Sequence, residues 1–188
     1  MILSQFQNVG RDLSTNGLVS SHSGSLSIRL GERLIITRRG CNLSCLEEHD
    51  LIETGISKND RFTPLASVEL PVHRAIYQLT PAQAVIHAHP PHAIALSLTE
   101  TEIVPSDTQG LSIVGQIPVV GWHMEVKSGG LADIIGQALK QHKIIVVHGH
   151  GSFAIGQLLE EAHGCTAVLE ESCCVTCLLR SLQVDSEK

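Results

Sequence analysis

The sequence predicts an α/β fold in which a mixed β-sheet carries helices packed against it. Three observations predict it. Short apolar or alternating runs with strand character, such as Leu26–Leu30, Ala84–Ile86 and Lys143–Val147, are spread over the whole chain. Segments with helical spacing lie between them in irregular alternation, and a hairpin pattern sits among the first strands. That irregularity suits a mixed sheet better than a parallel, doubly wound one. The chain has 188 residues and 43% apolar composition, enough for one domain over residues 1–188 with a full hydrophobic core.

The elements follow in order. Residues 1–16 read as a short helix or arm, with Ile2, Phe6, Val9 and Leu13 at helical spacing, and Asn16-Gly17 turns the chain. Leu26–Leu30 alternates, Gly31-Glu32 turns, and Arg33–Thr37 returns, which is a hairpin. Glu47–Glu53 fits either a helical turn or a strand edge. Ser67 is placed to cap a helix from Glu69 to Gln78, which Thr80-Pro81 ends. A strand is expected at about 83–89 and a short helix at Ala93–Leu98. Pro105, Gly110, Gly115 and Pro118 mark residues 100–121 as loops with a short strand. Leu131, Ile134, Ile135 and Leu139 share the face of a helix from Leu131 to His142. A buried strand, Lys143–Val147, and a short one, Ser152–Ile155, precede a closing amphipathic helix, Gln157–Gln183. On that helix Leu158, Ala162, Cys165, Leu169 and Cys173 share one side.

Bulk properties exclude several functions. The formal net charge is −6 and no Lys/Arg stripe is present, which argues against nucleic-acid binding. No apolar run approaches the roughly 20 residues needed to span a bilayer. Met1–Gln7 shows no basic segment leading into an apolar one, so a cytoplasmic location is the expectation. Cys174-Val-Thr-Cys177 is formally a C-x-x-C pair, but it lies within a helical pattern. The cysteines read as small buried hydrophobes, and Cys41 and Cys45 flank a turn.

The chemistry concentrates around Val85-Ile-His-Ala-His-Pro-Pro-His92. On a strand, residues two apart point to one side, so His87 and His89 can share a metal ion. His148-Gly-His150 ends a second apolar strand, and Glu69 lies on a helix just upstream of the first pair. Catalytic zinc takes three protein ligands and leaves one position open, and a carboxylate outside that shell can act as general base. Each feature alone is weak, because H-x-H is common and helical glutamates usually face solvent.

Five segments in this order resemble the class II aldolase/adducin-head family, from about Gly17 to Val184. They are Gly24-Ser-Leu-Ser-Ile-Arg29, Leu34-Ile-Ile-Thr-Arg-Arg-Gly40, the helix from Ala66 to Tyr77, His87-Ala-His-Pro90, and His150-Gly-Ser-Phe-Ala-Ile-Gly156. The resemblance implies a three-layer α/β/α domain with a central mixed, largely antiparallel sheet. It implies His87, His89 and His150 as ligands of Zn2+ or another divalent ion, and Glu69 as general base. His148 matches no family ligand, His73 and Tyr77 take packing roles, and His92 lies nearby without a role. Ser25, Arg39, Gly40 and Ser67 fall on the substrate side.

The implied reaction cleaves a phosphorylated ketose of the fuculose-1-phosphate kind to dihydroxyacetone phosphate and an aldehyde. The alternatives are a sugar-phosphate dehydratase or epimerase, or a non-catalytic adducin-like interaction module. Glu69 argues against the epimerases, which tend to carry Asp there, and the full set of ligands argues against the module. A homotetramer is the family expectation. The chain departs from the family pattern at Ser25, Arg39, Val68 and Gly149, and has no counterpart of the family's catalytic tyrosine.

Overall fold

Alternation along the strands sorts apolar side chains onto two faces of one sheet, and the helices cover both. The computed structural model describes residues 2–122 and 129–186. Its elements are α1 (Ile2–Thr15), β1 (Ser25–Leu30), β2 (Arg33–Thr37), β3 (Leu51–Gly55), α2 (Leu70–Leu79), β4 (Ala84–Ala88), α3 (Pro91–Ser97), β5 (Glu102–Ile103), α4 (Thr108–Ile113), β6 (Ile117–Val120), α5 (Gly129–Ala138), β7 (Ile144–Val147), β8 (Gly151–Gly156) and α6 (Leu159–Ser186). The strand order is β3-β2-β1-β4-β8-β7-β6-β5. Neighbours are antiparallel except β6 and β7, so the sheet is mixed and largely antiparallel.

One core joins Leu26, Ile86, Ala88, Val146 and Ala154 to α1, α3 and α6. The other joins Leu34, Ile36, Val85, Ile145 and Phe153 to α2 and α5. Ile86 and Val85 are adjacent yet belong to opposite cores, as the period-2 pleat requires. Strand β4 sits between β1 and β8, and all five of its residues are buried. The histidine pair therefore emerges from the centre of the sheet.

Several elements differ from the sequence expectation. Helix α2 begins at Leu70, because Pro71 suits a first helical turn, where its missing N–H costs nothing. Ser67 therefore does not cap the helix; its Oγ accepts from the Glu69 N–H at 3.2 Å. Residues 100–121 hold more than loops and one strand. Asp107 caps α4 by accepting from the Gly110 N–H at 2.7 Å, and β5 and β6 flank it. Gly110 allows that packing, since a Cβ there would lie 2.3 Å from Ser172 Oγ on α6. The segment 47–53 resolves into a 3-10 turn, Glu48–Asp50, running into β3. Helix α5 stops at Ala138 and leaves Ile134 exposed. Helix α6 starts at Leu159, so Leu159 takes the buried position expected for Leu158. All six cysteines are free thiols, and Cys174 and Cys177 lie well inside α6. No helix among the described residues is long and apolar enough to cross a membrane.

Candidate metal centre

Register places the first histidine. His87 on β4 faces Ser25 on β1 and Phe153 on β8. Its ring stacks on Phe153, with centroids 4.3 Å apart. Its Nδ1 lies 3.0 Å from the Ser152 carbonyl, so Nδ1 carries the proton and Nε2 keeps its lone pair. His89 follows the strand end, anchored by its N–H to the Leu18 carbonyl at 2.7 Å. Its Nε2 lies 3.0 Å from that of His87.

His150 comes from the tight β7–β8 connection. Gly149 takes a left-handed φ of 62°, and the His150 N–H closes the turn on Val147. The His150 ring lies parallel to His87 at 5.0 Å between centroids and 5.2 Å from His89. Gly151 makes room for this, because a Cβ would sit 2.5 Å from the Ala88 carbonyl oxygen and 2.6 Å from His89 Cδ2. One nitrogen from each ring lies within 4.8 Å of the others.

Burial makes these rings good donors. It pushes His87 well below the ordinary imidazole value, with repulsion from His89 and His150 adding to it. His89 falls to about 4, chiefly by burial, and burial lowers His150 as well. All three are thus neutral near pH 7, the form that binds metal. His150 Nε2 is buried and has no hydrogen-bond partner. A buried nitrogen normally finds one. A divalent cation would satisfy it together with its two neighbours, so the residues fit a metal ion.

Glu69 stands at the N-cap of α2 and is half-buried, and burial alone raises its carboxyl above the ordinary carboxylate value. One helical turn on, His73 lies on the same face. His73 is fully buried, with Nε2 2.8 Å from Ser25 Oγ and Nδ1 2.7 Å from Ser27 Oγ. Since Ser25 stands opposite His87, these bonds fix the start of α2 over the histidine end of β4.

The expected substrate side is only partly assembled. Ser25 is completely buried and engaged by His73, so its hydroxyl is not open to a small molecule. Arg39, Ser67 and Val68 line one cleft of about 410 Å³. Gly40 is exposed beside it, with a left-handed φ of 70°, and its carbonyl accepts from His22 Nδ1 at 3.1 Å. A groove of about 560 Å³, lined by Ala82, Ile155, Cys165 and Val168 among others, opens at the opposite strand ends and contains none of the three histidines.

Two features escaped sequence reasoning. Glu170 on α6 accepts from the His92 and Ala93 N–H groups, and its Oε1 is 2.7 Å from His92 Nδ1, which ties α6 to the start of α3. Arg74 lines the cleft. Neither has a local signal: the first pairs residues 78 apart, and the second is one charge on a mostly buried helix.

Known proteins share this arrangement of elements. A family model described as Class II Aldolase and Adducin N-terminal domain matches residues 4–177. The crystal structure of l-fuculose-1-phosphate aldolase from Thermus thermophilus superposes with a TM-score of 0.91 at 33% identity, covering 97% of this chain and 95% of that one. A 3,4-dihydroxyphthalate decarboxylase from Arthrobacter keyseri is 29% identical over 168 residues, 81% of this chain and 68% of its own length. A probable bifunctional methylthioribose-1-phosphate isomerase/methylthioribulose-1-phosphate dehydratase from Nocardia farcinica is 33% identical over 93 residues, 46% of this chain. The match spans only 16% of that larger protein.

Proposed function

We propose that this chain, which belongs to the class II aldolase and adducin N-terminal domain family, is a metal-dependent carbon–carbon lyase. Its reaction is the cleavage of a phosphorylated ketose, fuculose-1-phosphate-like, to dihydroxyacetone phosphate and an aldehyde. The observation that carries the reading is the convergence of three neutral imidazoles, one with a buried unpartnered Nε2, beside a helix that starts at a half-buried glutamate.

His87, His89 and His150 would hold the ion, and three imidazoles that leave one position open suit Zn2+ or another divalent metal. A divalent ion bound there supplies Lewis-acid stabilisation of negative charge on the substrate's oxygens. The chain's own residues do the rest. In the cleavage direction the C3–C4 bond breaks, its electron pair goes to C3, and the C4 hydroxyl gives its proton to solvent water as C4 becomes the aldehyde carbon. Glu69 delivers a proton to C3, and in the condensation direction it removes it. Burial favours the protonated carboxyl, so Glu69 can hold a proton nearer neutral pH than a solvated glutamate would. Arg39, Gly40 and Ser67 are assigned to the substrate's anionic end. Ser25 acts through His73 as a positioning residue.

Tyr77 takes no part in proton transfer. It is the chain's only tyrosine, it is buried, and its hydroxyl lies 2.7 Å from Ser27 Oγ. A copy of the same chain in a homotetramer, the assembly this reading includes, would supply no other tyrosine. A cytoplasmic location completes the reading.

The test is a screen of ketose 1-phosphates with the metal-stripped protein, with and without added Zn2+, Mn2+ or Co2+. Metal-dependent release of dihydroxyacetone phosphate is expected. Loss of water with the carbon chain intact would favour the dehydratase reading, for which the relative from Nocardia farcinica gives the precedent. No metal-dependent change in any sugar phosphate would refute both.

A further inference from the structure

The groove at the strand ends opposite the three histidines has no part in the lyase reading. Its volume of about 560 Å³ falls within the roughly 300–1,000 Å³ of small-molecule sites. Its floor is apolar: Ala82, Cys165 and Val168 are buried, and Ile113 and Ile155 add to the walls. The start of β4 and the end of β8 border it, while the histidines stand at the other ends of those strands.

A glycine on α6 keeps the groove open. Gly164 lies inside that helix, where glycine is less favourable than alanine. Gly10, Gly110 and Gly136, also in helices, are explained by packing. A Cβ at Gly10 or Gly110 would come within 2.3 Å of a neighbouring atom, and one at Gly136 within 2.6 Å. A Cβ at Gly164 would meet nothing within 4 Å, and Gly164 lines the groove. No contact among the described residues requires the missing side chain, and the space it leaves belongs to the groove.

The rim carries one charge of each sign, and they differ in what surrounds them. Glu161 sits in the first turn of α6, where the helix dipole favours an anion, and its Oε2 accepts from the Gln157 N–H at 2.7 Å. Lys143, the cation among the lining residues, is exposed, and its ammonium has no hydrogen-bond or ion-pair partner among the described residues. Gln109 and Gln157 add side-chain amides to the rim.

We propose that this groove is a second small-molecule site and that its ligand is a medium-chain fatty carboxylate, with the alkyl chain over Gly164 and the carboxylate at Lys143. Burial of the chain against the apolar floor drives binding, and one unpaired ammonium matches one negative charge. The site stands apart from the histidine centre and does not rest on the function proposed above.

The test titrates decanoate and butyrate calorimetrically into the metal-loaded, full-length protein. Decanoate should bind, and butyrate at least about tenfold more weakly, because each buried methylene adds affinity. Gly164→Leu fills the groove and should weaken decanoate binding at least about tenfold. Gly164→Ala adds one methyl group to open space, so it should keep most of the affinity and melt no lower than wild type. Lys143→Gln should weaken decanoate binding about threefold to fivefold, as loss of an exposed ion pair does. Bound metal should be unchanged in all three variants, which separates the groove from a carboxylate held at the histidines. No decanoate binding, butyrate binding as tightly as decanoate, or an affinity unmoved by Gly164→Leu or by Lys143→Gln would overturn the proposal. So would an oligomer that Gly164→Leu dissociates, since a second copy of the chain would then fill the groove.

Discussion

The buried histidine of α2 makes the fold sensitive to acid, and the size of the effect can be worked out. His73 has both ring nitrogens on serine hydroxyls and no exposed surface, and burial pushes it down to about 3 from an ordinary 6.5. In the unfolded chain the ring takes up a proton below pH 6.5, whereas the folded protein refuses it until about pH 3. Between those limits the unfolded state binds more protons, so stability falls as pH drops through 6.5 and stops falling near 3. At pH 5 the ratio of the two binding polynomials corresponds to about 2 kcal/mol lost relative to pH 8. The ligand histidines add losses of the same sign when no metal is bound. The comparison is therefore between wild type and His73→Gln, both metal-stripped, by urea unfolding at pH 8 and pH 5. The variant should be less stable at pH 8, but its further loss on going to pH 5 should be smaller than that of wild type by about 2 kcal/mol. Equal losses would show that His73 does not stay neutral in the folded protein, and the buried Ser25–His73–Ser27 network would have to be abandoned.

Three further outcomes test the centre itself. Glu69→Gln should lower turnover by roughly 10²–10⁴-fold, as loss of a general acid–base group does, and keep its metal; metal loss by elemental analysis would make Glu69 a ligand. His150→Ala should cut bound metal at least about tenfold at matched free ion, since a three-nitrogen site loses one donor; an unchanged content would sink the three-histidine assignment. Gly151→Ala puts a Cβ against the Ala88 carbonyl and the His89 ring, so it should cost about 1–3 kcal/mol in thermal unfolding and lower metal content. A variant with wild-type melting and metal would show that the rings have room to spare.

Much of this architecture is legible in the sequence because burial is periodic. Leu26–Leu30, Arg33–Thr37 and Ala84–Ala88 form strands where the alternation and apolar run place them. His87 lies on β4 and His89 just past its end, and the two-residue spacing brings their rings together. Residues 100–121 resisted because α4 has only six residues, too few for a helical period to show, and depends on packing against α6 at Gly110. Its one local signal was Asp107, a helix-capping type placed three residues before Gly110.

Side-chain partnership is a different matter from burial. Ser25 and Ser67 are both small hydroxyl residues near the site, and sequence treats them alike as substrate contacts. Their places in the fold separate them. Ser25 is a β1 residue pressed between β4 and α2, where a buried hydroxyl must find a partner and takes His73. Ser67 precedes α2 and reaches a cleft edge. The same logic separates the arginines. Arg29 and Arg33 are tied to carbonyls or carboxylates and have limited capacity left for a ligand. Arg74 donates to neutral oxygens, with the Asp60 carboxylate of the same cleft also acting on it, and Arg39 has no partner among the described residues. The three histidines converge because β4 and β8 are neighbours in the sheet. Arg39 and Arg74 line one cleft because the β2 loop pairs with the segment that precedes α2.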